Sequence, residues 1–192
     1  MTTRQAVLTI IIIQILLGIL GWVNYGYHLE ALQAATRFSG RFSLLLFSLI
    51  FLFHGSKTFK IKTVLSEKYF FIFALAHGIH LLELLTYVCL SGNELIPIRL
   101  AGGFVAYLLI FLMPVVFYWY EQGKVTMKNY VWITWVYLFY VWFIFFMSYL
   151  PRVQGKLPHV GGNYSEFVVL LTWVSLMMGI KIQQLISSRT DR

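Results

Sequence analysis

Apolar residues run through this chain in blocks too long for the alternation of a half-buried strand and too unbroken for the one-sided stripe of a surface helix. Blocks of about 20 residues, enough to cross a hydrocarbon core as helix, lie at 6–27, 69–90, 100–120, 131–149 and 167–186. A shorter one at 42–54 is expected to extend by a turn or two. The gaps carry loop chemistry: "SGNELIP", "EQGK" and "PRVQGKLPHVGGN" are rich in Pro, Gly and polar residues. The last belongs to the longest connection, 150–166, and is expected to fold over the helices. The pattern predicts an all-α fold, a polytopic bundle of six transmembrane helices forming one domain over 1–192 with no soluble domain.

Composition agrees with the pattern. Hydrophobic residues make up 59% of the chain and charged ones 11%, against about 45–50% and about 25% in an ordinary soluble domain. The bilayer is therefore the first partner. The opening block follows a single Arg4 and is longer than a secretory signal core, so it reads as a retained first span. The lone Cys89 excludes an intrachain disulfide, a CxxC motif and an iron-sulfur ligand set.

An even number of spans puts both termini on one side. Arg4, Lys57, Lys60, Lys62, Lys68, Lys124, Lys128, Lys181, Arg189 and Arg192 fall on that side; Arg37, Arg41, Arg99, Arg152 and Lys156 fall on the other. Ten against five predicts cytoplasmic termini. The net charge of +8 then follows from topology and anionic headgroups. No soluble basic face exists, so no nucleic-acid partner is expected.

Several polar or aromatic features have plain structural explanations. The aromatic run at 130–149 is expected to face lipid and neighbouring helices. Gly18, Gly21, Gly102 and Gly103 suit close helix approach. Gln14 and Asn24 read as interhelical hydrogen-bonders.

The segment "FALAHGIHLLELL" is different. His77, His80 and Glu83 stand three residues apart and form one ridge on the third span, and ionisable groups inside a membrane helix carry a functional presumption. A metal could take His77 and His80. Glu83 lies about 9 Å along the axis from His77, too far to close on the same ion. Glu83 could instead orient the His80 imidazole, leaving its other nitrogen as ligand, proton acceptor or donor. A b haem needs imidazoles on two helices at matching depth. His28 and His159 fall in loops, which leaves His54. His54 and His77 differ in depth by roughly 9 Å at helical rise.

Four segments together resemble the bacterial six-helix proteins of the ferric reductase-like transmembrane domain family: "RFSGRFSLLLFSLIFLF" (37–53), "KYFFIFALAHGIHLLELL" (68–85), "GGFVAYLLIFLM" (102–113) and "YLFYVWFIFFMSYLPR" (137–152). The resemblance implies an inner-membrane b-type cytochrome bundle with haem ligands on the third span and a later one. His77 matches the third-span ligand position and His80 is its companion one turn on. Where relatives carry histidine in the fifth span, this chain reads "KNYVWITWVYLFYVW" (128–142), and Thr134 falls near the expected place. Threonine is no strong iron ligand. That leaves haem held by one histidine or in an unusual way, a second ligand from a partner, or loss of the cofactor. The chain lacks the flavin and nicotinamide domains of larger reductases, so electrons would come from a quinone or a membrane redox partner.

The resulting expectation is an electron-transfer protein with at most one b haem near His77 or His80. The alternative is a haem-less accessory or scaffold subunit of a membrane complex. A third reading is a proton-coupled transporter using Glu83 and the two histidines. Without haem, Trp135, Tyr137 or Phe139 should fill the space beside Thr134, and His80 with Glu83 should persist as a hydrogen-bonded pair.

Overall fold

The computed structural model describes residues 3–54, 68–92, 97–157 and 161–190. Six helices follow one another: α1 Thr3–Tyr25, α2 Leu29–Phe53, α3 Lys68–Ser91, α4 Pro97–Glu121, α5 Met127–Val153 and α6 Tyr164–Thr190. All six are long and apolar enough to cross a bilayer. The chain is a multi-pass membrane protein of all-α class. Both termini emerge on one face, here the terminal face, and the α1–α2, α3–α4 and α5–α6 connections lie on the opposite face. His159 and Lys57, Lys60 and Lys62 lie outside the described residues.

The second span is the main departure from expectation. It begins at Leu29 rather than near residue 42, more than three turns earlier. Gln33, Thr36, Arg37, Ser39 and Arg41 depress the hydropathy of this stretch, yet Thr36 and Ser39 are buried against neighbouring helices. The connection from α1 shrinks to a three-residue turn opened by Gly26 at φ 71°, a left-handed conformation that favours glycine. Arg37 and Arg41 consequently sit inside a span, not in a loop.

Helix α2 is the centre of the bundle and packs on α1, α3, α5 and α6. A Cβ on Gly21 of α1 would stand 2.8 Å from the Ala31 carbonyl oxygen, so glycine is what lets α1 lie directly on α2. Gly18 and Gly103 meet nothing and play no such part. Side chains tie the helices to one another's backbones. Gln14 Nε2 donates to the Ala76 carbonyl (3.2 Å), Trp142 Nε1 to Val174 (2.9 Å) and Tyr140 Oη to Gly102 (3.2 Å). Asn24, expected to reach a neighbour, instead bonds Leu20 within α1.

One row of α5, Tyr130, Thr134, Tyr137, Leu138, Val141, Phe145 and Tyr149, is buried. Trp132 and Phe143 on its other side face outward. The aromatic run is thus divided between core and lipid, as its composition predicted. At the bundle centre Phe47 is fully buried, with ring centroids 5.6 Å from Phe51, 5.6 Å from Phe73 and 5.4 Å from Phe145.

Candidate functional site

The ridge on α3 faces α2. Ser39 Oγ lies 3.0 Å from His80 Nδ1 and donates to Glu83 Oε2 in a very short hydrogen bond. His80 and Glu83 are joined through Ser39, not directly as the spacing suggested. The His80 ring lies flat on Gly40, where a Cβ would approach its Cε1 to 3.0 Å. Glycine at this position lets the imidazole reach the α2 backbone, and Ser39 Oγ also lies 3.1 Å from the Thr36 carbonyl oxygen.

Proton counting gives this chain a direction. Ser39 has one hydroxyl hydrogen. With Glu83 ionised and His80 an imidazolium carrying hydrogens on both ring nitrogens, the Ser39 hydrogen goes to the carboxylate and His80 donates from Nδ1. With Glu83 protonated, the carboxylic acid donates to Ser39, Ser39 donates to His80 Nδ1, and the imidazole hydrogen sits on Nε2. The two arrangements interconvert by proton hops along three groups, which is the property of a relay.

Towards the opposite face the ladder opens into a charged mouth. Gln33 Nε2 donates to Tyr87 Oη (2.8 Å) and Arg37 to Gln33 Oε1 (3.2 Å). Arg41 forms an ion pair with Glu166 at 2.5 Å. Arg152 bonds the Ser148 carbonyl and stacks on Phe167, its guanidinium 5.6 Å from the ring centroid. Gly161 and Gly162 press on Gln33 and the Arg37 side chain, so this part of the long connection does fold over the bundle. The arginines, counted from sequence as loop charges, are members of the site.

Towards the terminal face the ladder stops. His77 is 92% buried, stacked between Phe73 (centroids 5.3 Å) and Tyr107 (4.8 Å), with Phe145 edge-on at 5.8 Å and His80 at 5.3 Å. Beyond it come Phe47, Phe70 and Tyr137. Tyr137 reaches from α5 to pack on Phe70 (5.6 Å) and Phe47 (6.5 Å), filling the space where a fifth-span ligand would look across to α3. Thr134 is buried and its hydroxyl is spent on the Tyr130 carbonyl. Phe139 packs on Phe51, and Trp135 on Phe139.

These contacts test the haem expectation. A b haem needs a flat gap beside an imidazole, and the His77 ring is instead stacked on Phe73 and Tyr107 with Phe145 edge-on. Nor does His54 point into such a gap. It caps α2, stands edge-on to Phe70 at 6.0 Å, and its carbonyl accepts from Lys181 (2.6 Å). The residues around His77 and His54 do not fit a porphyrin in this packing. Among the described residues no group of three or more His, Cys, Asp or Glu could hold a metal ion. His77 and His80 are neighbours, as spacing required, with His80 committed to α2.

Lys181 escaped the sequence reading altogether. Counted there as a charge at the terminal face, it is 98% buried. Its ammonium lies 5.7 Å from the Phe51 centroid and 5.5 Å from Trp135, and it caps the α2 C-terminus together with Gln184, which donates to Leu52. Burial, and then this ammonium, pull the His54 pKa down to about 4.

No protein-family model matches the chain, and neither a curated protein nor a solved structure matches it.

Proposed function

We propose that this chain is a haem-free six-helix membrane protein that moves protons within the bilayer along Glu83, Ser39 and His80, as the membrane part of a proton-coupled system. The observation that supports this reading is the unbroken hydrogen-bonded chain from Glu83 through Ser39 to His80, set between a mouth of arginines and a plug of rings. Such a chain reaches about halfway through the bilayer, since His80 lies about 18 Å along α3 from its first residue. The ring plug keeps the half-path from becoming a leak.

The orientation is proposed from charge. Counted along the sequence, ten Lys and Arg fall towards the terminal side against five towards the other. The bias favours cytoplasmic termini in a bacterial inner membrane. The mouth then opens to the outside.

Thinning the plug tests the reading. Proteoliposomes carrying Phe47→Val are expected to dissipate an imposed pH gradient, and Phe47→Val with Ser39→Ala to return to the wild-type baseline. A leak indifferent to Ser39 rejects the relay. A b-haem absorption spectrum in the purified protein would reject the haem-free reading and restore electron transfer.

A further inference from the structure

The α2–α3 interface is a ladder of matched rungs. Gln33 meets Tyr87, Ser39 meets His80, and Phe47 meets Phe73. Moving down α2 is matched by moving back along α3, as antiparallel neighbours require. Midway between the second and third of these rungs comes Ser43, four residues from both Ser39 and Phe47. Opposite it comes His77, three residues from His80 and four from Phe73.

This rung is polar on both sides and is not closed. Ser43 Oγ and His77 Nδ1 are both buried and neither has a hydrogen-bond partner. Ser43 is unusual in this chain. Thr36, Ser48, Thr134 and Ser148 all donate to the carbonyl four residues back, the default for a hydroxyl in an apolar helix. Ser43 does not, and its hydroxyl is left for something else. A third buried oxygen without a partner, Gln14 Oε1 of α1, belongs to a side chain bonded to the Ala76 carbonyl, next to His77.

Each such group left bare costs about 1–3 kcal/mol, and buried groups are satisfied by protein or by ordered water. We propose that the Ser43–His77 rung binds a structural water, which accepts from or donates to Ser43 Oγ and His77 Nδ1 and has Gln14 Oε1 as a third partner. A water needs two to four polar partners, and this level of the bundle supplies them. The site rests on the proton-relay reading for its role: it carries the chain one rung further, from His80 past Ser43 to His77, and ends it against the Phe47 plug.

The test is solid-state NMR of the full-length protein in lipid bilayers with 15N-labelled histidine. Polarisation transfer from water to His77 Nδ1 is expected in wild type, despite the burial of the ring. It should persist in Ser43→Thr, which keeps the hydroxyl, and vanish in Ser43→Val, whose methyl groups displace the water. No transfer in wild type, or equal transfer in Ser43→Val, overturns the site. If Ser43→Val fails to fold, Ser43→Ala, which removes the water's hydroxyl partner, should weaken the transfer relative to Ser43→Thr, and equal transfer in the two overturns the site. The site and the relay fail separately. Water at His77 with a Phe47→Val leak that ignores Ser39 keeps the site and removes the relay; a leak that needs Ser39 with a dry His77 does the reverse.

Discussion

Ser39→Ala removes the one oxygen that joins two half-buried groups of another helix to α2. Ser39 Oγ bonds Glu83 Oε2 and meets His80 Nδ1 at 3.0 Å. A hydrogen bond to a charged group is worth about 1.5–3 kcal/mol in soluble proteins, while interhelical bonds in membranes average about 0.6 and reach about 1.7. Two such bonds across one interface put the loss at about 1–3 kcal/mol, because deleting a hydroxyl opens almost no cavity. The control is Ser175→Ala, whose exposed hydroxyl donates to Leu171 in its own helix, with an expected change within about 0.5 kcal/mol. Unfolding of both variants in mixed micelles titrated with a denaturing detergent measures the difference. Since Glu83 and Ser39 act through one bond, Ser39→Ala combined with Glu83→Gln should cost less than the two changes summed. Equal stabilities for Ser39→Ala and Ser175→Ala, or strict additivity with Glu83→Gln, would show that the ladder is only a crossing of side chains.

Two further outcomes follow from the ends of the bundle. A reporter fused after Arg192 is expected to be active in the cytoplasm and one inserted between Gly155 and Lys156 outside it; the opposite pattern would invert the mouth and remove the proposed orientation. His54, held near 4 against an ordinary 6.5, binds fewer protons folded than unfolded within that window, so stability rises with pH across it and falls on acidification. Going from pH 7 to 5 should cost about 2 kcal/mol from this group, and His54→Gln should lose that part of the slope. An unchanged slope in the variant would assign the acid sensitivity elsewhere.

The spans could be read from the sequence because hydrocarbon imposes a length and a composition, and five of the six were found near their true positions. The missed half of α2 shows where that rule fails. A helix at the centre of a bundle need not be apolar if neighbours satisfy it, so hydropathy underestimates it. The third-span ridge was visible from its spacing alone, whereas its partner row was hidden in plain view. "RFSGRFS" repeats Arg-Phe-Ser at an interval of four, which stacks Ser39 over Ser43 on one helix face and Arg37 over Arg41 on another. Read with "HGIH" on the next span, it implies two polar rungs. What no spacing could supply was the register between the helices, which alone decides that Ser39, and not Glu83, touches His80. Lys181 was invisible for a related reason, since a lysine near a span end usually reaches for water. Here the open carbonyls at the end of α2 and two aromatic faces hold it inside.

The polar ladder and the ring plug explain each other. Buried ionisable groups are expensive in hydrocarbon, and α3 could satisfy its apolar surroundings with leucine at 77, 80 and 83 as it does at its neighbours. Structural packing alone does not need Glu83 joined to His80 through a hydroxyl that can pass its hydrogen either way. Equally, a chain whose only task was to conduct would continue past His77. Instead, the next positions along both helices, Phe47 and Phe73, are aromatic, and Phe145 and Tyr137 close on them from α5. The space beyond His77 is filled by aromatic side chains, and on the proposed reading the relay ends against them at mid-membrane.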